Sequence, residues 1–418
     1  MRTSVLALAT AATFALAAPA GAALKVSSEQ KLSPRLTAFV LQTPSLNFPA
    51  DVRVLLPADY AAHPKQRYPV LYLLHGSFDD AASWTTKGDA EKLTAGLPLI
   101  VVMPATTGTG KAGGWASDWV NEGRNGPPKW ETFTIRELLP WVEHRYRTRA
   151  NRQGRAIAGL SMGGFSSMSY AVRHPDLFSA ASSYSGAVDT NNLKVQPIIE
   201  GETLADGGQT PDAIWGPRAT SEIVWRTHNP WDLAANLQHM TLAIRTGNGS
   251  HGPYDDASPA QDPIEAGVHE MSVSLHQQLD ALKIAHVWDD YGPGTHSWPY
   301  WQQDLKRDLP RLMATFADPP RTPDPFTYRT AEPAFSVYGW SVKRAGTTFA
   351  WTDLKNAGRH GFTLTGSGPA QVTTAARYAP GSTHRVTIGA QQRSVRADGR
   401  GRLHLAVTAG PQRVAIAP

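Results

Sequence analysis

Gly159-Leu160-Ser161-Met162-Gly163-Gly164 separates an apolar, strand-like run, Ala156-Ile157-Ala158, from a helix-like one running from Phe165 to Arg173. In that setting G-x-S-x-G reads as a nucleophile elbow, a sharp strand-to-helix turn that displays a serine. The backbone there must be strained, and side chains two residues to either side would collide, so small residues are required. The same turn aims the amide of Met162 at the point where an oxyanion would form. Ser161 is therefore the candidate nucleophile.

A serine nucleophile needs a base and an orienting acid, in the chain order Ser, Asp or Glu, His. Gly292-Pro293-Gly294-Thr295-His296-Ser297-Trp298 follows a candidate last strand, His286 to Tyr291, and a histidine on such a loop can swing over the sheet end. His296 is the candidate base. Of the other histidines, His174 sits at the end of the post-elbow helix and reads as structural. Asp262, Glu265, Glu270, Asp280, Asp289 and Asp290 all precede His296, and periodicity does not separate them as the acid.

Several stretches, in their order along the chain, carry a resemblance. They are Ser117-Asp118-Trp119, Trp130-Glu131-Thr132-Phe133, Trp215-Gly216-Pro217, Gly247-Asn248-Gly249 and Gly294-Thr295-His296-Ser297-Trp298-Pro299-Tyr300-Trp301. Over roughly residues 45 to 316 the chain resembles the antigen 85 mycolyltransferases and their esterase D-like relatives. The resemblance implies an α/β-hydrolase fold and a Ser-Glu-His triad whose glutamate follows an aliphatic residue before the last strand. Ile264-Glu265 fits that position, so Glu265 is preferred to Glu270. It also implies a second oxyanion amide after the D-G or H-G dipeptide of an early strand, which here is the N–H of Ser77.

Two departures stand out: the mycolyltransferases have an aspartate at His75 and an arginine at Phe78, charges that line their sugar-binding mouth. The implied chemistry is thus carboxylic ester hydrolysis through an acyl-serine first, and acyl transfer to a sugar or glycerol second. A non-catalytic envelope- or matrix-binding protein on the same scaffold is the alternative of another class. His75, Phe78, Trp119 and Trp298 are the candidates for contact with an ester or acyl-glycolipid substrate.

Composition agrees with a packed enzyme. The chain has 418 residues, 41% of them hydrophobic and 18% charged, and no cysteine, which excludes thiol catalysis and thiolate metal sites. Neither H-E-x-x-H nor a tight His/carboxylate cluster is visible in the sequence, so neither metal nor cofactor is expected. A formal charge of +5 without a basic run argues against nucleic-acid binding. Thr107-Gly108-Thr109-Gly110-Lys111 fails as a phosphate loop, since Ala112 follows the lysine; it reads as a mobile loop near the site's mouth. Residues 1–22 read as a signal peptide, with Arg2, an apolar stretch and Ala20-Gly21-Ala22. A secreted or envelope protein with no membrane span in its mature chain is expected.

Val70–Leu74, Leu99–Met103, Thr241–Arg245 and His286–Tyr291 look like buried strands alternating with helices, which implies a doubly wound, mostly parallel sheet. Leu36–Gln42 and Val52–Leu56 look like an antiparallel opening edge. The stretch from Val188 to Asn229, with Trp215 and Trp225, reads as a cap over the serine. The domain reading is catalytic over 23–317, a proline-rich linker at 318–325, and a small all-β, sandwich-like unit over 326–418. Frequent Arg and Lys in that unit suggest contact with an envelope glycan.

Overall fold

The computed structural model describes residues 24–108, 113–121, 128–205, 209–257 and 259–417. The signal-peptide reading of 1–22 and most of the Thr107–Lys111 loop lie outside these residues.

A nine-stranded sheet runs in the order β1-β2-β3-β5-β4-β6-β7-β8-β9. Its strands are β1 (Lys25–Lys31), β2 (Leu36–Gln42), β3 (Ala50–Leu55), β4 (Val70–Leu74), β5 (Ile100–Pro104), β6 (Arg155–Leu160), β7 (Ala180–Tyr184), β8 (Thr241–Thr246) and β9 (Val287–Asp290). The first three pair antiparallel and the six from β5 to β9 pair parallel. This is the α/β-hydrolase arrangement that the sequence led us to expect. The parallel strands β4, β5 and β6 are buried at every position, as strands covered by helices on both faces must be.

Two strands differ from the sequence reading. β1, KVSSEQK, is exposed along its whole length and joins the edge by backbone pairing with β2, helped by an ion pair from Glu29 to Arg145. β7, AASSY, lacks the β-branched signature yet is fully buried. Its small residues are needed because the elbow helix lies so close: a Cβ on Gly164 would come within 2.8 Å of Ser183 Oγ.

Between β7 and β8 the chain forms a cap with helices Val195–Ala205 and Arg218–His228. Its tryptophans pack the cap onto the body. Trp215 meets Trp115, Phe165 and Trp225 and donates to Ser117 Oγ, 2.8 Å away.

After the helix Trp298–Ala317, the chain forms two antiparallel sheets facing one core. One has six strands, β10 (Phe326–Thr330), β13 (Thr352–Gly358), β14 (Gly361–Thr365), β19 (Gln412–Ala417), β16 (Thr383–Ile388) and β17 (Gln391–Arg396). The other has four, β11 (Ala334–Val337), β12 (Trp340–Arg344), β15 (Gly368–Thr373) and β18 (His404–Ala409). Trp340, Phe362, Leu364, Val386 and Leu405 fill the space between them.

This sandwich docks on the far end of the elbow helix, Met162–Arg173. The buried Arg173 guanidinium bridges Glu131 at 2.8 Å and Glu332 at 3.2 Å, and Tyr328 donates to the Arg173 carbonyl at 2.8 Å. Burial opposes ionisation of Glu131, but Arg173 and His174 outweigh it and hold the carboxyl well below its ordinary range.

Candidate active site

The elbow forms as its sequence demands. Ser161 takes φ 52° and ψ −123°, a strained conformation for a residue with a side chain. Its N–H bonds to Tyr184 O at 2.9 Å, so the neighbouring strand holds the turn. Glycine is needed on both sides: a Cβ on Gly159 would sit 2.3 Å from Gly163 O, and one on Gly163 would sit 2.4 Å from His75 O.

Three candidates from distant parts of the chain meet here. His296 Nε2 accepts from Ser161 Oγ at 2.8 Å, and its Nδ1 donates to Glu265 Oε2 at 2.7 Å. Glu265 is 0% exposed, and its other oxygen accepts from Ser185 Oγ at 2.8 Å and Gly247 N at 2.8 Å. These donors hold one oxygen in place and leave the other for the imidazole. Glu270 is elsewhere, on the surface with Lys194 and Asn192. Asp289 pairs with Arg245, Asp290 with His269, and Asp280 with His276.

Asp262 has a different part. It caps the helix Pro263–Ala281, accepting from the amides of Ile264 and Glu265, and its second oxygen accepts from His296 N at 2.8 Å. One carboxylate thus fixes both the Glu265 backbone and the histidine loop.

A cleft of about 520 Å³ opens over Ser161, its surface mostly apolar. Val195, Ile198, Val268 and Met271 supply that surface, with Phe78 at the rim, 59% exposed. Ser77 and Met162 line it too. Met162 opens the elbow helix, so its N–H is one of those without an intrahelical acceptor.

Three substrate candidates are placed away from the cleft. His75 is buried, with Nδ1 donating to Gly76 O at 2.7 Å and Nε2 accepting from Thr106 N at 3.0 Å. Burial lowers its pKa, and the neutral ring stitches the β4 and β5 loop ends together. Trp119 is buried against the Gly114 carbonyl. Trp298 stacks edge-on with Trp84 and Trp301, and Trp301 in turn meets the His296 ring edge-on. In each case the ring is consumed by packing or by hydrogen bonds within the fold.

Glu202, on the cap helix Val195–Ala205, went unnoticed in the sequence. Its Oε2 accepts from Ser77 Oγ and Trp115 Nε1, both at 2.8 Å. Burial in the apolar cleft raises its pKa, and the hydrogen bonds from Ser77 and Trp115 pull the other way. The expectation of no tight His/carboxylate cluster is also corrected. The fold gathers His276, Asp280 and His286, with ligand atoms within 4.8 Å of one another. Asp280 follows His276 by one helical turn, but His286 joins them only after the chain reverses into β9.

A family model described as "Putative esterase" matches residues 43–312. The chain belongs to this esterase family. Antigen 85 proteins are among the relatives, in agreement with the motifs quoted above: the diacylglycerol acyltransferase/mycolyltransferase Ag85B of Mycobacterium leprae is 30% identical over 266 residues, covering 61% of this chain and 78% of that one. Esterase Rv1288 of Mycobacterium tuberculosis is 42% identical over 167 residues, 40% of this chain. The match spans only 35% of that relative's length. Among solved structures, the S-formylglutathione hydrolase of Agrobacterium tumefaciens superposes with a TM-score of 0.54 at 17% identity, covering 69% of this chain and 98% of that one. MPT51 of Mycobacterium tuberculosis gives 0.53 at 23% identity, covering 69% and 99%. At such identities the likeness is one of fold, the α/β-hydrolase arrangement of the nine-stranded sheet.

Proposed function

We propose that this protein is an exported serine esterase that cleaves carboxylic esters through an acyl-Ser161 intermediate. The observation that carries this reading is the hydrogen-bonded line Ser161–His296–Glu265 at the floor of an apolar cleft. His296 takes the Ser161 proton as Oγ bonds to the ester carbonyl carbon. The oxyanion that forms is held by the N–H groups of Ser77 and Met162. The imidazolium, oriented by Glu265, gives its proton to the leaving alkoxide, and an alcohol departs. Water then attacks the acyl-serine by the same route and releases the acid.

The cleft lining favours an aliphatic or aryl acyl group. Hydrolysis is preferred to transfer because Phe78 at the rim is apolar and His75 is buried with a lowered pKa, at the two positions where the mycolyltransferases carry the charges of their sugar-binding mouth. Transfer to a sugar or glycerol is the second reading, favoured by the activity named for the Ag85B relative. Export rests on the signal-like residues 1–22, and no helix of the described residues is long and apolar enough to cross a membrane.

The sandwich is proposed as the attachment module. Residues 326–418 hold 12 Lys and Arg against 3 Asp and Glu, a net +9 in a chain whose total is +5. That asymmetry supports contact with anionic envelope glycan.

The test is a p-nitrophenyl ester chain-length series on the mature protein, with and without trehalose or glycerol, beside Ser161→Ala. Ser161-dependent release that ignores the acceptor supports the hydrolase. An acceptor-dependent ester product moves the assignment to transfer. No Ser161-dependent turnover on any chain length overturns the general esterase reading.

A further inference from the structure

At the opposite end of the helix from Glu265, three side chains converge that take no part in the ester chemistry. His276 and Asp280 stand one turn apart near the helix C-terminus, and His286 lies just before β9. His286 Nδ1 donates to the Ile284 carbonyl at 2.8 Å, which fixes its tautomer and leaves Nε2 as a lone pair. That lone pair faces His276 Nδ1 at 2.8 Å, so His276 must bring the proton. His276 Nε2 is then a second lone pair, 3.5 Å from Asp280 Oδ2. One ring nitrogen of each histidine and a carboxylate oxygen of Asp280 thus lie within 4.8 Å of one another, close enough for a single cation to take a ligand from each.

We propose that His276, Asp280 and His286 form a binding site for a divalent transition-metal ion of the zinc class. The donor set of two imidazoles and one carboxylate suits Zn²⁺, with water completing the coordination. Two features preorganise the ligands. The backbone bond to His286 Nδ1 is the outer support that metal-binding histidines usually have. The His276 ring lies parallel to Trp288, with centroids 4.6 Å apart and planes within 1°, which limits its rotation. The bound ion would clamp the C-terminal end of the Glu265 helix to β9 as a structural staple.

The experiment titrates the full mature chain, freed of metal, with Zn²⁺ by calorimetry and with Co²⁺ by visible absorption. Thermal unfolding is followed in parallel. The expected result is one saturable equivalent per chain, and an unfolding midpoint that rises with Zn²⁺ concentration. His276→Gln and His286→Gln should each weaken binding at least about tenfold. Asp280→Asn changes an exposed residue, so it should weaken binding while leaving the metal-free midpoint in place. His269→Gln and His251→Gln, which alter other His–Asp pairs, should leave the equivalent intact. Absence of saturable binding, or equal affinity in wild type and all three site variants, overturns the site. So does loss of the equivalent only in His269→Gln or His251→Gln.

Discussion

The Asp262 carboxylate receives the His296 amide at 2.8 Å with one oxygen and caps the Glu265 helix with the other. Glu265 and His296, the proposed acid and base, are therefore both positioned by a single side chain that touches neither Ser161 nor the imidazole ring. Asp262→Asn keeps a capping oxygen but can turn an amide donor toward the His296 N–H. Turnover should fall about tenfold, with about 1 kcal/mol lost in urea unfolding. Asp262→Ala removes the cap as well and should unfold at lower urea than Asp262→Asn. Equal turnover in Asp262→Asn and wild type would show that the histidine loop holds itself.

Glu265→Gln replaces a carboxylate surrounded by donors with a group that carries two N–H bonds of its own. One of these must face Ser185 Oγ, Gly247 N or His296 Nδ1. The imidazole then loses its tautomer control, and kcat should fall roughly 10³- to 10⁴-fold. Steady-state assay on the best ester checks this. Glu270→Gln, altered at the surface, should leave kcat unchanged.

Glu202 ties the cap to the Ser77 loop. Removing it in Glu202→Ala leaves Ser77 Oγ and Trp115 Nε1 without their acceptor and loosens the proposed oxyanion donor. The fall should lie mainly in kcat, and losing most of one oxyanion donor would cost about 100-fold. Glu202→Gln retains one acceptor oxygen and should recover part of it. A transition-state analogue should lose affinity in parallel with kcat; if KM alone rises, Glu202 serves only the cleft's shape.

Asp304 is buried without a hydrogen-bond partner for either oxygen, and burial raises its pKa well above the ordinary carboxylate value. The folded state therefore holds a proton that the unfolded chain gives up. The sign follows: this group favours folding least at high pH, and stability declines as pH climbs from the unfolded carboxylate value toward the raised folded one. Asp304→Asn should unfold at higher temperature near neutral pH and show a flatter profile between pH 4 and pH 7. A lower midpoint at neutral pH would mean that the carboxylate is paired in solution.

The sequence conveyed the elbow, β4, β5 and the histidine loop because those segments satisfy local rules: apolar β-branched runs, glycines beside a displayed serine, a histidine past a strand end. β1 escaped because an edge strand exposed along its length needs no apolar pattern. β7 escaped because its Ala and Ser residues answer to the helix packed on them. His75, Trp119 and Trp298 were read as substrate contacts from motif positions shared with the mycolyltransferases, but side-chain direction is set by packing. Glu202 and Ser77 lie 125 positions apart, and His276 meets His286 only across a reversal. Such pairings carry no local sign.

The elbow helix begins beside Ser161 and ends in the grip of Glu332 and Tyr328. At 12 residues it spans about 18 Å. It runs back along the sheet from the strand ends that bear Ser161, so the sandwich is fixed toward the opposite rim. A protein held by that sandwich would present its cleft outward at constant reach, like a tool on a short rigid handle. Its working range would then be the layer facing the cleft, not the material it grips.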